Sequence, residues 1–340
     1  MKKNNKIKFV INIFIILIVL CIVLYFSLKD DYKAIINAIL NMKVGWIILA
    51  ISLVCLYRIL VGVSIYMLAK ANRERVSLIR CIQISFIILF FHGVTPFAGG
   101  GQPMEVYYLH NENISITKST NIVLQNFIVY QVSLVSVGVF ALLYNYFFKI
   151  FPNNSLIKRL VILGFTINLL VLVFTFVLSF GKKLNKFICN KGLNLIGRLK
   201  IVKNVEEVRN KLNTYLNNFH DNAIQLRKNM KEVIIIVLIN ILAIVSLYTV
   251  PYAVFNGLGI HNLSVILCVV STAYVMTIGS FVPIPGGTGG IEYGFVFFYG
   301  YLVKGSVLNA SMLLWRFITY YLGMTIGAIA LSLYRKKDKV

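Results

Sequence analysis

The chain has 340 residues, 59% of them hydrophobic and 13% charged, with a mean hydropathy of +0.81. Soluble domains run at about 45–50% apolar and about 25% charged, so these values exclude a soluble enzyme or soluble binding module. The net charge of +23 does not point to nucleic acid, because membrane proteins gather Lys and Arg in cytoplasmic loops facing anionic lipid.

A helix needs about 20 apolar residues to cross a bilayer. Behind the basic start Lys2, Lys3, Lys6 and Lys8, the first apolar run covers 9–28. It is long for a signal-peptide core and no small-residue cleavage site follows, so it reads as an uncleaved anchor. Further apolar segments follow at 45–69, 80–97, 119–147, 160–180, 233–255, 264–282 and 306–334, with a shorter piece at 291–302. Segment 119–147 is long enough to require tilt or extension beyond the bilayer. Between 181 and 232, Val205, Val208, Leu212, Tyr215, Phe219, Ala223, Leu226 and Met230 recur at steps of three and four. That spacing predicts a basic amphipathic helix on the cytoplasmic membrane surface. The five cysteines and four histidines show no disulfide or metal-ligand spacing, and no cofactor is expected.

Charge decides how many segments cross. With eight simple crossings and the N-terminus inside, the loops hold 15 basic residues inside and 17 outside. If 80–97 and 264–282 instead enter and turn back, the distribution becomes 25 inside and 7 outside, and Arg58 and Arg316 complete the 34 Lys and Arg. The positive-inside rule favours the second arrangement. The expectation is therefore an all-α membrane protein forming one domain over 1–340. It has six spanning helices, two re-entrant broken-helix elements and both termini cytoplasmic.

Those two segments end in matching breaks. The first runs Thr95-Pro96-Phe97-Ala98-Gly99-Gly100-Gly101-Gln102-Pro103-Met104-Glu105 and the second Val282-Pro283-Ile284-Pro285-Gly286-Gly287-Thr288-Gly289-Gly290-Ile291-Glu292. An offset of 187 places Pro96 on Pro283, Gly99 on Gly286, Gly100 on Gly287 and Glu105 on Glu292. Proline and paired glycine interrupt a helix, and interrupted backbone at membrane depth persists only inside protein or beside a wet cavity. A helix resuming after each break would offer free N–H groups to a phosphate. An odd number of crossings separates the breaks, so the second is inverted relative to the first, the usual layout of alternating-access transporters. The alternative is a pair of packing glycines in two kinked helices.

Four charges lie in or beside apolar segments: Arg58, Glu105, Glu292 and Arg316. Intramembrane charges are costly and usually functional. The arginines suit a lipid phosphate, and the glutamates suit a cationic headgroup or a coupling proton. Equally open is a pair of structural Glu–Arg locks. Gln125, Gln131, Asn168 and Asn240 suit interhelical hydrogen bonds. Trp46, Trp315 and most tyrosines read as interface or packing residues, and Tyr107, Tyr293 and His92 flank the motifs.

The second motif resembles the signature of the lysylphosphatidylglycerol synthase transmembrane family, and the first resembles its partner motif. The resemblance covers nearly the whole chain. It implies a lipid translocase moving aminoacylated phosphatidylglycerol between leaflets of the cell membrane, which lowers surface negative charge and resists cationic antimicrobial peptides. A phospholipid partner is thus expected, with a separate synthase or a homo-oligomer also possible. The translocation residues expected are Arg58, Pro96, Gly99, Gly100, Gln102, Glu105, Pro283, Gly286, Gly287, Thr288, Glu292 and Arg316. The sequence ends at Val340 without the soluble transferase domain of the best-known members. A phosphatidylglycerol lysyltransferase component and a translocase of polyprenyl-linked or other anionic lipids therefore stand as alternatives, and no catalytic residue is nominated.

Overall fold

The computed structural model describes residues 32–95, 99–151, 155–180, 230–279 and 284–335, with isolated positions between 206 and 214. The expected anchor at 9–28, nearly all of the amphipathic stretch, Pro96 and Pro283 lie outside the described residues. All regular structure among the described residues is helical. In order these are α1 (Tyr32–Asn41), α2 (Val44–Ala71), α3 (Leu78–Val94), α4 (Gly101–Asn111), α5 (Ile116–Phe148) and α6 (Ser155–Phe180). The second half holds α7 (Met230–Tyr248), α8 (Val250–Gly257), α9 (Val265–Gly279), a 3₁₀ turn (Pro285–Gly287), α10 (Gly290–Tyr299), α11 (Ser306–Arg316), a π turn (Phe317–Leu322) and α12 (Gly323–Ser332). Four of the described helical stretches are long and apolar enough to cross a membrane: Val44–Ala71, Ile116–Phe148, Met230–Gly257 and Ser306–Ser332. Shorter apolar helices include Leu78–Val94 and Val265–Gly279. Helix α1 was not anticipated, because its ten residues are too short and too polar to register as a membrane segment. At 33 residues and 1.5 Å per residue, α5 extends about 50 Å, so it does outrun a bilayer core.

The 187-residue offset reaches well beyond the motif. It carries α2 onto the α7–α8 stretch, α3 onto α9, α4 onto α10, and α5 onto the α11–α12 stretch. Even the caps correspond. The Ser77 hydroxyl accepts from the Arg80 N–H at the start of α3, and Ser264 accepts from Leu267 N–H at the start of α9. Each serine supplies an acceptor for an N–H that the helix itself cannot satisfy.

Two side-chain bonds set the relative direction of the halves. Ser246 Oγ donates to the Leu53 carbonyl at 2.8 Å, and Asn240 Nδ2 donates to Ser64 Oγ at 2.9 Å. Position rises along α2 as it falls along α7, so these equivalent helices pack antiparallel.

Each half also contains an antiparallel helical hairpin bent at its glycine-rich break. In the second, Gly279 lies against Ile291, Gly294 against Val275, and Tyr299 OH donates to the Cys268 carbonyl at 3.0 Å. In the first, the His92 ring occupies the space left by the missing side chain of Gly101, while Arg80 meets Glu112 at 3.6 Å near the other end. Thus α3 and α4 leave and return at one level. Around that base, Lys118 pairs with Glu74, and Tyr334 OH donates to Glu112 at 2.8 Å. The base of the second hairpin gathers a different set: Phe151 packs on Tyr274 and Phe298, and Gly257 faces Met42.

Between apolar helices in lipid, close backbone approach and interhelical hydrogen bonds replace the hydrophobic effect as the source of cohesion. A β-carbon at Gly62 would fall 2.6 Å from Ile82 Cα, and one at Gly327 would fall 2.7 Å from the Phe90 nitrogen. Both obstacles are backbone, so the helices would have to part. Gly62→Val and Gly327→Val are expected to lose about 2 kcal/mol or more, read as a lower unfolding midpoint in detergent. The buried amides bridge helices as anticipated. Asn72 bonds Gln125 at 2.6 Å, Gln131 bonds the Asn168 carbonyl at 3.1 Å, and Asn240 reaches Ser64.

Candidate headgroup cavity

The two hairpin tips converge. Tyr320 OH donates to the Gly93 carbonyl at 2.7 Å, which fixes the end of α3 to the π turn. The same Tyr320 ring fills the space where Gly286 would carry a side chain, with its carbons 2.5 Å from the ideal Cβ position. Between the tips lies a cavity of about 300 Å³. Its walls include Arg58, His92 and Gly93 from the first half and Gly286, Gly287 and Arg316 from the second. Four tyrosines (Tyr57, Tyr130, Tyr248 and Tyr320), Thr272, Thr319 and Trp315 complete the polar part of the lining.

The two arginines have different surroundings. The Arg316 Nε lies 2.6 Å from Glu292 Oε1, its Nη2 donates to the Gly286 carbonyl at 3.0 Å, and Thr288 Oγ1 lies 3.4 Å away. Its guanidinium sits 4.6 Å from the centre of the Tyr320 ring, a cation–π distance. Glu292 also accepts from Gly289 N–H at 2.6 Å. It occupies the third position of α10, so its carboxylate takes the place at that helix N-terminus where the motif alone suggested a phosphate. Arg316 and Glu292 therefore form a structural lock on the second break.

Arg58 has no such partner. It is 8% exposed, and no carboxylate pairs with it among the described residues. Its guanidinium lies 4.4 Å from the Tyr57 ring centre and makes a long 3.4 Å bond to the Ser85 carbonyl, while Nε has no acceptor. Trp315 Nε1, 3% exposed and in the same cavity wall, also lacks one. Arg58 and Trp315 both line the cavity, and each keeps a buried N–H without an acceptor, an unmet demand for an anion or carbonyl oxygen in that wall.

The internal repeat explains the asymmetry. Subtracting 187 from Arg316 gives Val129, so the first half has no arginine at the position equivalent to the one that holds Glu292. The Glu105 carboxylate instead accepts from Asn126 Nδ2 at 3.2 Å, and Asn126 in turn accepts from Ser64 Oγ at 2.9 Å. Of the two Glu–Arg pairs considered from sequence, Glu292–Arg316 is in contact, whereas Glu105 is hydrogen-bonded to Asn126 and acts on Arg58 only across a longer distance.

The remaining nominated positions divide as follows. Gly286 and Gly287 line the cavity, and Thr288 and Glu292 brace Arg316. Gly99, Gly100 and Gln102 sit at the first tip, where Gly100 N–H donates to Thr95 Oγ1 at 2.9 Å, outside the cavity wall. Tyr107 and Tyr293 are 52% and 54% exposed on the outside of the bundle. The cavity tyrosines and Trp315 went unrecognised from sequence. Tyr57 beside Arg58, and Tyr320 one helical turn beyond Arg316, could have been found by spacing, whereas Tyr130 and Tyr248 come together only through the fold. Gly286 has φ +67°, a left-handed conformation that costs a side-chain-bearing residue about 1–2 kcal/mol. Gly286→Ala adds the clash with Tyr320, so a loss of roughly 2–3 kcal/mol is expected, checked by thermal unfolding and by exposure of a reporter cysteine at the tip.

Helical stretches of membrane-crossing length and a twofold internal repeat define a multi-pass α-helical membrane protein. The chain belongs to the lysylphosphatidylglycerol synthase TM region family, whose model matches residues 10–327. It is also similar to a UPF0104 membrane protein of Archaeoglobus fulgidus, at 22% identity over 305 residues, which is 87% of this chain and 89% of that protein.

Proposed function

We propose that the protein is a lipid translocase whose central cavity receives the phosphate of a phospholipid headgroup, and that aminoacylated (lysyl) phosphatidylglycerol is its substrate. The observation that carries this is the buried Arg58 guanidinium, with no carboxylate in ion-pair contact among the described residues, beside the unpaired Trp315 N–H in a cavity between two broken hairpins. A guanidinium presents a planar fork matched to phosphate oxygens. The Tyr130 and Tyr248 rings in the same wall offer faces that attract an ammonium group, which a lysyl headgroup carries.

The proposed topology is six spans with two re-entrant hairpins. Arg80 joining Glu112, and Glu74 joining Lys118, support a shared face for residues 70–80 and 112–118, which eight simple crossings would separate. Helices of 17, 11, 15 and 10 residues in the hairpins are about 15–26 Å long, short of a bilayer core of about 30 Å. Antiparallel packing of α2 on α7 supports inversion of the halves. The basic-residue distribution supports cytoplasmic placement of both termini, and the cell membrane is the proposed location.

The test is reconstitution into vesicles with lysyl-phosphatidylglycerol, phosphatidylglycerol or a polyprenyl phosphate in one leaflet, followed by measurement of transfer to the other. Transfer fastest for the lysyl lipid supports the full proposal. A preference for the polyprenyl phosphate would keep the translocase and replace the substrate. Formation of lysyl lipid from charged tRNA and phosphatidylglycerol by the purified chain would replace translocation with synthesis.

A further inference from the structure

A second, smaller cavity of about 120 Å³ lies between α5, α6, α7 and α9. It shares Tyr130, Leu247, Tyr248 and Met276 with the central cavity, so the two are adjoining spaces with a common wall. Moving away from that wall, the lining becomes Leu134, Gly138, Phe165, Ala273 and Thr277. Gly138, Phe165 and Thr277 are only partly buried, and α6 beside them carries many exposed apolar residues, among them Ile162, Leu169 and Val173. The space thus extends from the headgroup cavity toward the surface that faces lipid.

Three of its polar members are bonded within the bundle. Thr277 Oγ1 donates to the Ala273 carbonyl at 2.7 Å, and Asn168 Nδ2 donates to the Gly164 carbonyl at 2.9 Å. Asn168 Oδ1 meets Gln131 Nε2 at 3.4 Å, and Tyr130 OH meets Tyr57 OH at 3.4 Å. A space that offers few free partners does not hold water well and suits an apolar occupant.

The internal repeat shows that this opening is not inherent in the helix arrangement. At the 187-residue offset, Ala273 and Thr277 correspond to Phe86 and Phe90, and Leu134 and Gly138 correspond to Tyr321 and Thr325. In that equivalent interface Phe90 and Tyr321 are buried in a small apolar cluster with Met324 and Ala328. The packing there is close enough that a β-carbon on Gly327 would meet the backbone of Phe90. One interface carries two phenylalanines and is shut, while its counterpart carries Ala and Thr and is open.

We infer that this slot between α5, α6 and α9 holds the part of one acyl chain nearest the headgroup, for the lipid whose headgroup occupies the central cavity. The inference rests on the headgroup reading given above. A two-tailed lipid cannot move its phosphate to the bundle centre unless its chains stay in an apolar medium. Lipid tails are as apolar as the leucines around them, so a chain passing from bilayer to slot meets little barrier. That near-neutral exchange is what a transport path needs.

Thr277→Phe copies the closed interface, and Gly138→Leu fills the slot from the opposite wall. Both variants are measured in two ways: leaflet-to-leaflet transfer of lysyl-phosphatidylglycerol in vesicles, and binding of its water-soluble deacylated form, lysyl-glycerophosphoglycerol, which has the headgroup but no chains. The expected result is a transfer rate lowered roughly tenfold or more, with lysyl-glycerophosphoglycerol binding unchanged. Wild-type transfer in both variants would overturn the inference. So would loss of headgroup binding along with transfer, because the slot would then be part of the cavity's own scaffold. Arg58→Met in parallel separates the two readings. Normal transfer by that variant would refute the headgroup site and the slot with it, whereas a dead Arg58 variant beside active slot variants would refute the slot alone.

Discussion

Arg58→Met is expected to make the purified protein more stable and, at the same time, unable to hold a phosphate-bearing lipid. The two effects have one cause. Arg58 is a buried cation with an unbonded Nε and, among the described residues, no carboxylate in ion-pair contact; Glu105 acts on it only across a longer distance, so the folded state bears much of its desolvation uncompensated. Substituting a flexible apolar side chain of similar length removes that cost. Replacement of buried charge by packed apolar groups is commonly neutral or stabilising by about 1–4 kcal/mol, and the lower half of that range is expected here because contact with the Tyr57 ring and the Ser85 carbonyl is lost. Binding moves the other way. Loss of one partner of a buried charged contact costs about 2–5 kcal/mol, or an affinity for phosphate-bearing lipid about 30-fold weaker or worse. Arg58→Lys should lie between wild type and Met in affinity, since it keeps the charge and loses the planar fork. A thermal midpoint and a lipid-binding isotherm on the same preparation check the pair of outcomes. A destabilised, lipid-competent Arg58→Met would make the residue structural.

Arg316→Met is expected to behave in the opposite sense. Its removal leaves the Glu292 carboxylate, 22% exposed, without its cation, and frees the Gly286 carbonyl that Arg316 holds at 3.0 Å. Breaking a buried pair from one side costs about 3–5 kcal/mol, and the partial exposure of Glu292 brings the expectation to roughly 2–4 kcal/mol. Glu292→Gln should cost less, because a neutral amide can still accept from the Gly289 N–H while giving up the charge attraction. Arg316→Met combined with Glu292→Leu should recover part of the loss, with a coupling of about 1–3 kcal/mol. Unfolding midpoints of the two single variants and the double variant measure that coupling. Additive losses would mean that the ion pair does not secure the second break.

The contrast between the two arginines shows where sequence reasoning reached its limit. Both were visible as charges in apolar segments, and both glutamates were visible at matching positions of a repeated motif. Which arginine serves structure depends on residue 129, a valine in the first half where the second half has Arg316. With the offset of 187 in hand, that absence could be read from the sequence, but its consequence required knowing that α5 and the α11–α12 stretch are equivalent. Most apolar segments matched helices to within a few residues, because an uninterrupted run of about 20 apolar residues has few alternatives in a bilayer. The caps Ser77 and Ser264 repeat at the same offset and were equally legible. The aromatic lining was not. Tyr130 and Tyr248 lie on different helices with no local mark to distinguish them from tyrosines in packing or at an interface, and only the convergence of α5 and α7 brings them to one wall. The phosphate expected at the second helix N-terminus was displaced for a local reason: Glu292 lies three residues after Gly289 and folds back onto it.

The central claim is that a lipid phosphate rests on Arg58 between the two hairpin tips. Native mass spectrometry of the protein released from mild detergent tests it most directly, with wild type and Arg58→Met compared at equal detergent. The expected result is a wild-type protein carrying a single phosphate-containing lipid that survives exchange, and an Arg58→Met protein stripped of it. Equal retention of the same lipid by both would contradict it.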